Sequence, residues 1–433
     1  MQSRLVATTL LTRIIDDGRN LDALCDRSHG IKPYAALDDR DQGLARAITV
    51  TALRNRNRID FILKKLMKRP PAKNARFLTH TLHIASAQIL FMEVPERAAV
   101  NIAVGVIGND KRTRRFRELT NAVLRRMTRE KEGLLEASKD VSPFPEWLAK
   151  QLRSDYGRDN TARIAPIVMH GASVDVSVKN DPAEWAEKLG GFPLPTGSVR
   201  LRSATRISEL PGYGEGEWWV QDAAAAIPAR LINADKGAEV LELCAAPGGK
   251  TAQLANLGYK VTALDISETR LSRLQANLER LKFNVTPIHA DLLDWEPECL
   301  FDAVLLDAPC SSTGTVRRHP DILWSKSKDD ISTLAELQFA LLNRAITFVK
   351  RGGCIVFSNC SLLKQEGEDL LGRLLKSSSD ITLSKIGSNE VPGISEMVNG
   401  QGALRSLPFH LPNNEHPKLG GVDGFFACRF IKN

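Results

Sequence analysis

Apolar positions in the first 140 residues recur at helical spacing. Leu5, Leu10, Leu11, Ile14 and Ile15 make one stripe. Ile59, Ile62, Leu63 and Leu66 make a second, and Leu78, Leu82, Ala85 and Ile89 a third. Pro70-Pro71 and Pro95 punctuate these helices. Strand-like alternation is scarce, so residues 1–140 are expected to form a compact all-α domain. Val141-Ser-Pro-Phe-Pro145 is the expected joint. Residues 141–215 combine short helices around Trp147 and Trp185 with strand-like Val174–Val178, and glycine and proline crowd 190–216. A small α/β subdomain is expected there.

The pattern then becomes alternating, and residues 216–433 are expected to form the third domain. Strands are predicted over Val240–Leu243, Lys260–Leu264, Val285–His289, Ala303–Leu306 and Cys354–Ser358. Helices are predicted over 223–232, 251–257, 267–282, 330–349 and 365–376. Units of this kind build a doubly wound, Rossmann-like parallel sheet, whose ligands bind at the carboxyl ends of the strands.

Composition narrows the class. The 433 residues are 43% apolar and 25% charged, which excludes a mostly disordered, collagen-like or coiled-coil chain. No apolar run approaches the ~18 residues that cross a bilayer. The N-terminal stripe reads as an amphipathic helix, not a signal peptide. Seven cysteines (25, 244, 299, 310, 354, 360 and 428) are odd in number, scattered and without a C-x-x-C pair. That argues against a disulfide framework or zinc site and for a reducing cytoplasm. No metal is expected: His80-Thr-Leu-His83 lacks a third ligand and reads as a helix surface. Charge is uneven, with a net +11 over residues 1–150 and −3 over 151–433. The densest basic stretches are Arg54–Arg58, Lys64–Arg76 and Lys111–Arg117. Such clusters attract phosphate backbones.

Each chemical motif follows a predicted strand. The first strand runs into Cys244-Ala245-Ala246-Pro247-Gly248-Gly249-Lys250-Thr251, which opens a helix. Small residues let a ligand approach the backbone, and the helix start offers free N–H groups. The spacing is neither a P-loop nor G-x-G-x-x-G. The second strand ends at Asp265, suited to a ribose diol, and the third at Ala290-Asp291, placed to meet an adenine. An adenosine cofactor without polyphosphate fits, and S-adenosylmethionine fits best. Cys244 reads as packing beneath the loop.

Two cysteines follow two further strands, in Asp307-Ala-Pro-Cys310 and Asn359-Cys360-Ser361. Carbon 5 of cytosine is a poor nucleophile towards a methyl sulfonium. A thiolate adding to carbon 6 turns the ring into an enamine that can attack. Protonation or hydrogen bonding at N3 eases that addition, a role suited to Asp307, and a second thiol can assist release. The thiolate needs a positive environment, for which Lys250 is a candidate. The order of motifs leaves open which thiol attacks. Gln221-Asp222 is expected to cap the helix over 223–232. Arg317-Arg318-His319-Pro320-Asp321 is placed to contact a phosphate beside the target base.

These residues resemble the Sun/Fmu-type RNA cytosine-C5 methyltransferases. The resemblance rests on Cys244–Thr251, Asp307–Cys310, Cys360-Ser361, Gln221-Asp222 and Asp423-Gly-Phe-Phe426. It implies that the loop, Asp265 and Asp291 bind S-adenosylmethionine and that Asp307 lies between cofactor and base. It makes Cys360 the nucleophile and Cys310 the thiol that assists release. The N-terminal third resembles the NusB-like RNA-binding domain, through Val94-Pro-Glu96, Ala98-Ala-Val-Asn101 and Leu119–Arg125. The pairing implies a monomeric enzyme of the cytoplasm acting on 16S (small-subunit) rRNA. The alternatives are the same chemistry on tRNA and a non-catalytic RNA-binding assembly factor. Two positions depart from the family pattern. Asn359 stands where the family usually has Thr, and Lys364-Gln-Glu-Gly-Glu368 replaces a Pro-Glu-Glu-Asn-like stretch.

Overall fold

The computed structural model describes residues 1–69, 71, 75–203 and 206–433. Pro70 and residues 72–74, from the expected proline break and the basic stretch Lys64–Arg76, lie outside the described residues, as do 204 and 205. The chain divides into two compact units, residues 1–154 with 318–327, and residues 155–317 with 328–433.

The first unit consists of helices and turns. Its long helices are Gln2–Asp17, Asp39–Arg54, Arg56–Leu66, Arg76–Phe91, Glu96–Asn109 and Arg117–Arg129. Local chemistry sets their ends. The Asp38 carboxylate accepts the Asp41 N–H at 2.7 Å, and Asp39 and Asp41 add negative charge to the positive end of the dipole. Gly18 closes the first helix in the left-handed region at φ 65°. The predicted stripes make the core: Leu10, Leu11, Ile14, Ile59, Ile62, Leu78, Leu82 and Ile89 are buried. Leu5, placed in the first stripe, is instead 42% exposed.

His80 and His83 are also not where the sequence suggested. Both are buried, not on a helix surface. His80 Nε2 lies 3.3 Å from the Asp16 carboxylate, and His83 Nε2 lies 2.9 Å from Asp60 Oδ1. Burial pushes His80 down to about 4. Each histidine is a polar core residue held by one carboxylate.

Residues 318–327 leave the sheet-bearing part of the sequence and belong to the helical unit. The buried Asp321 carboxylate accepts the Leu21 N–H at 3.0 Å, and His319 Nδ1 lies 3.1 Å from Asp22. The Trp324 indole donates to Leu53 O at 2.9 Å beneath the Arg56 guanidinium. Arg317 is buried and donates to Gly420 O at 3.0 Å. Packing therefore occupies Arg317 and Asp321, rather than the phosphate contact expected of this stretch.

The second unit holds two sheets. Strands β1 (Asp175–Val178), β2 (Gly191–Pro193), β3 (Ser198–Leu201) and β4 (Trp218–Val220) form a small antiparallel sheet in the order β2-β3-β1-β4. The buried Arg200–Asp175 pair, at 2.6 and 2.7 Å, ties β3 to β1. The large sheet contains β5 (Glu239–Leu243), β6 (Lys260–Asp265), β7 (Thr286–His289), β8 (Phe301–Asp307), β9 (Val349–Asn359), β10 (Ile381–Leu383), β11 (Leu404–Ser406) and β12 (Phe425–Lys432). The order is β10-β12-β9-β8-β5-β6-β7, with β11 also on β12.

Strands β5 to β9 are parallel, as predicted; β5, β6, β8 and β9 are largely apolar because both faces are covered there, whereas the edge strand β7 is mostly exposed. The sheet is nonetheless mixed, because β10, β11 and β12 add antiparallel pairs. The helix expected over 223–232 is also absent. The Asp222 carboxylate takes the Ala224 N–H at 2.8 Å, and Pro228 has no N–H with which to continue a helix. A turn and a short 3₁₀ segment, Pro228–Leu231, result. The other four helices stand at Gly249–Asn256, Glu268–Arg280, Lys328–Thr347 and Glu368–Ser377.

Register aligns the strand ends. Leu243 pairs with Leu264 on one side and Leu306 on the other, and Asp307 pairs with Ser358. The loops after β5, β6, β8 and β9 therefore leave the same edge of the sheet.

Candidate functional site

After β5 the chain turns at Cys244, whose φ is 59°. Burial pushes the Cys244 thiol up to about 12, so it stays protonated and packs rather than reacts. Ala245 N donates to Leu264 O at 3.0 Å, and Ala246 N to Asp265 Oδ2 at 3.1 Å. Pro247 follows, and Gly248 N donates to Ala245 O at 2.9 Å. Gly248 has φ 98°, and a side chain there would come within 2.9 Å of Leu274. The loop must stay bare of side chains at that point, which leaves its backbone open to a ligand. Gly249 then begins a helix. Asp265 ends β6, is buried, and also accepts the Ser267 N–H at 3.0 Å. The Arg270 guanidinium lies 3.6 Å from it and donates to Ala246 O. Asp291 stands two residues beyond β7, where its carboxylate accepts the Leu293 N–H at 2.9 Å.

Two carboxylate-bearing strand ends thus flank a bare loop at a helix start. That donor set fits the adenosine and amino-acid parts of S-adenosylmethionine. Beneath the loop, the Gln221 side chain accepts from the Trp219 indole at 2.9 Å and the Ser177 hydroxyl at 2.7 Å. Asp222 binds Ala224 N and Asp423 N. Both residues hold turns together where a helix cap was expected.

The Lys250 ammonium reaches Asp307 Oδ2 at 2.7 Å. Ser358, the register partner of Asp307, donates its hydroxyl to Oδ1 at 2.9 Å. The ring of Phe425 lies beside the ammonium, 4.9 Å from its centroid. Lys250 is nearly buried, so its charge acts at short range with little solvent screening.

The two thiols meet: Cys310 Sγ and Cys360 Sγ are 3.4 Å apart. Ser312 Oγ lies 3.9 Å from the first and 3.6 Å from the second. The pair is electrically unequal. The hydrogen bond from the Cys310 thiol, helped by Ser312 and the Lys250 charge, draws Cys360 below the ordinary thiol value, against burial and Asp307. The same hydrogen bond, with burial, holds Cys310 well above it. Within the pair Cys360 is thus the more acidic thiol and Cys310 the less acidic one.

Sequence reasoning missed Ser312, Ser358, Phe425 and Glu366. Ser358 was legible only as the register partner of Asp307, and Phe425 only as part of Asp423-Gly-Phe-Phe426. Gly424 N donates to Gly314 O, and Gly314 N to Cys360 O, each at 2.9 Å, which stitches that motif to the Cys360 loop. The departures around Cys360 also have a structural account. Asn359 Nδ2 donates to Glu366 O at 2.6 Å while its Oδ1 accepts the Ser361 N–H at 3.0 Å. The replaced stretch forms a 3₁₀ turn, Lys364–Glu366, ahead of the helix at Glu368. Among the described residues, no three His, Cys, Asp or Glu side chains gather as metal ligands, and no helix is long and apolar enough to cross a membrane.

A family model described as 16S rRNA methyltransferase RsmB/F matches residues 229–431, and a NusB family model matches residues 1–129. The ribosomal RNA small subunit methyltransferase B of Xanthomonas campestris pv. campestris is 36% identical, over 99% of this chain and 97% of that protein. The Salmonella typhi protein of the same name is 31% identical, over 99% and 98%. Among solved structures, PH0851 superposes with a TM-score of 0.75 at 22% identity, covering 100% of this chain and 99% of the other. A methyltransferase homologue from Pyrococcus horikoshii gives 0.55 at 25% identity, covering 67% and 96%.

Proposed function

The chain belongs to the RsmB/F family of 16S rRNA methyltransferases, and from that footing we propose that it methylates carbon 5 of a cytosine in small-subunit rRNA. The observation that carries this reading is the unequal thiol pair, 3.4 Å apart, on the same sheet edge as the Lys250–Asp307 pair. Methyl transfer to nitrogen or to ribose needs no such pair.

Gly248, Gly249 and the adjoining helix start, with Asp265 and Asp291, would hold S-adenosylmethionine, whose sulfonium would supply an electrophilic methyl group. The base is turned out of its stack to reach the pocket. The Cys360 thiolate adds to carbon 6 of the ring. As electron density reaches N3, Asp307 holds a proton against it, drawn from the Lys250 ammonium at its other oxygen. Carbon 5 is now nucleophilic and takes the methyl group. The carbon 5 proton then passes to solvent beside Cys310, the ring double bond re-forms as Cys360 leaves as thiolate, and N3 returns its proton through Asp307 to Lys250. The net +11 of residues 1–150 draws the rRNA in through its phosphates.

The test is incubation of the full chain with S-adenosylmethionine and small-subunit rRNA lacking the modification, followed by nucleoside mass spectrometry. The account requires 5-methylcytidine in rRNA. A methyl group on nitrogen or ribose, or 5-methylcytidine only in tRNA, would overturn it.

A further inference from the structure

We propose that Glu366 is a positioning residue that sets the spacing of the two thiols, and this rests on the reading of Cys360 and Cys310 given above. Glu366 is completely buried and touches neither sulfur through any hydrogen bond. Its carboxylate instead grips the residue that follows each one. Oε1 accepts Ser311 N at 2.8 Å, and Oε2 accepts the hydroxyls of Ser311 and Ser361, each at 2.5 Å. Ser311 follows Cys310 and Ser361 follows Cys360.

A third element locks the clamp. Gln338, on the helix Lys328–Thr347, donates one amide group to Glu366 Oε1 at 2.8 Å and to Pro309 O at 3.0 Å. Pro309 is the residue before Cys310, so both sides of that thiol are held. On the other loop, Asn359 before Cys360 ties its side chain to Glu366 O and to Ser361 N. One buried carboxylate thus sits between two loops that come from different strands, which Gly314 N donating to Cys360 O at 2.9 Å and Leu362 N donating to Thr313 Oγ1 at 3.0 Å also join. Burying a carboxylate is costly unless its lone pairs are met, and here four donors meet them.

The consequence lies in the sulfur–sulfur hydrogen bond. That bond makes Cys360 the more acidic of the two thiols, and it exists only while the loops keep their separation. Loosening the clamp lengthens the bond and returns Cys360 towards an ordinary thiol.

The experiment compares the full-length wild type, Glu366→Ala and Glu366→Gln. Cys360 alkylation by iodoacetamide is followed against pH by mass spectrometry, alongside S-adenosylmethionine affinity and single-turnover methyl transfer. Glutamine keeps one acceptor for Ser311 N and Gln338 and offers its amide hydrogens to the two hydroxyls. In Glu366→Ala the alkylation midpoint should rise towards the ordinary thiol range. Transfer should fall about 100-fold, as for a misplacement near 1 Å, while cofactor affinity and KM for rRNA stay within about threefold. Glu366→Gln should restore most of both losses. An unchanged alkylation profile in Glu366→Ala overturns the proposal. If that variant does not fold, the Ser311→Ala/Ser361→Ala double variant replaces it with the same expected rise, and an unchanged profile again overturns it. Alkylation needs no RNA, so absence of transfer by the wild type would defeat the proposed function while leaving the positioning role decided on its own.

Discussion

Lys250→Met separates the electrostatic part of this account from the covalent part. The substitution keeps the length of the side chain and removes its charge. It leaves Asp307 with the Ser358 hydroxyl as its remaining hydrogen-bond donor. Removing one partner of a fully buried ion pair costs about 3–5 kcal/mol. Asp307 keeps 30% of its side chain in solvent, so about 1–2 kcal/mol is expected here after screening. The larger consequence is kinetic. The Lys250 charge lowers the Cys360 thiol and the Asp307 charge raises it. Without the ammonium, the thiol moves up. Single-turnover methyl transfer measured from pH 6 to 10 should show the acid limb displaced upwards in Lys250→Met, with a lower plateau because the proton source for N3 is gone. Asp307→Asn should displace it downwards, because a negative neighbour is gone. Its plateau should fall about 10²–10⁴-fold, because the proton at N3 is lost. Acid limbs that stay put, or that move in the same direction in both variants, would refute the reasoning.

Gly248→Ala should weaken S-adenosylmethionine binding at least tenfold in equilibrium dialysis, since φ 98° alone costs an alanine about 1–2 kcal/mol and its Cβ meets Leu274; affinity within twofold of wild type would contradict the loop assignment. His80 is held down to about 4 from 6.5 by burial, so the unfolded chain binds the proton first as pH falls. Stability is then lost between about pH 6.5 and 4, by at most about 3 kcal/mol, and thermal melting should show a shallower pH dependence in His80→Gln; equal slopes would sink that assignment.

The parts of the molecule that were legible share a cause. Strands β5, β6, β8 and β9 are apolar on both faces, and each ends in a motif whose residue types are themselves informative. Cys310 and Cys360 could be placed on one sheet edge because both follow such strands. The strands that were missed lack those signals. Phe425–Lys432 has six buried residues in succession, a run that fits a buried helix as well as a strand by periodicity alone. Ile381–Leu383 and Leu404–Ser406 are three residues each, too short to carry a period.

Long-range pairing explains the other differences. His80 and His83 look polar in sequence, and only Asp16 and Asp60, distant along the chain, allow them to be buried. Glu366 sits in Lys364-Gln-Glu-Gly-Glu368, which resembles a solvated charge run. Its partners Ser361, Gln338 and Ser311 lie 5, 28 and 55 positions away. Ala223–Ala226 has high helix propensity, yet the Asp222 side chain and Pro228 claim the backbone first. Arg317 carries a charge suited to phosphate, but its burial against Gly420 was not readable from local sequence.

The central claim is that Cys360 attacks and Cys310 releases. It is tested by incubating unmodified small-subunit rRNA with S-adenosylmethionine and the wild type, Cys360→Ala or Cys310→Ala, then measuring protein–RNA adducts that survive denaturation. The account predicts that Cys310→Ala accumulates a methylated adduct at full length and that Cys360→Ala forms none. Adducts in Cys360→Ala and none in Cys310→Ala would contradict it and exchange the two thiols.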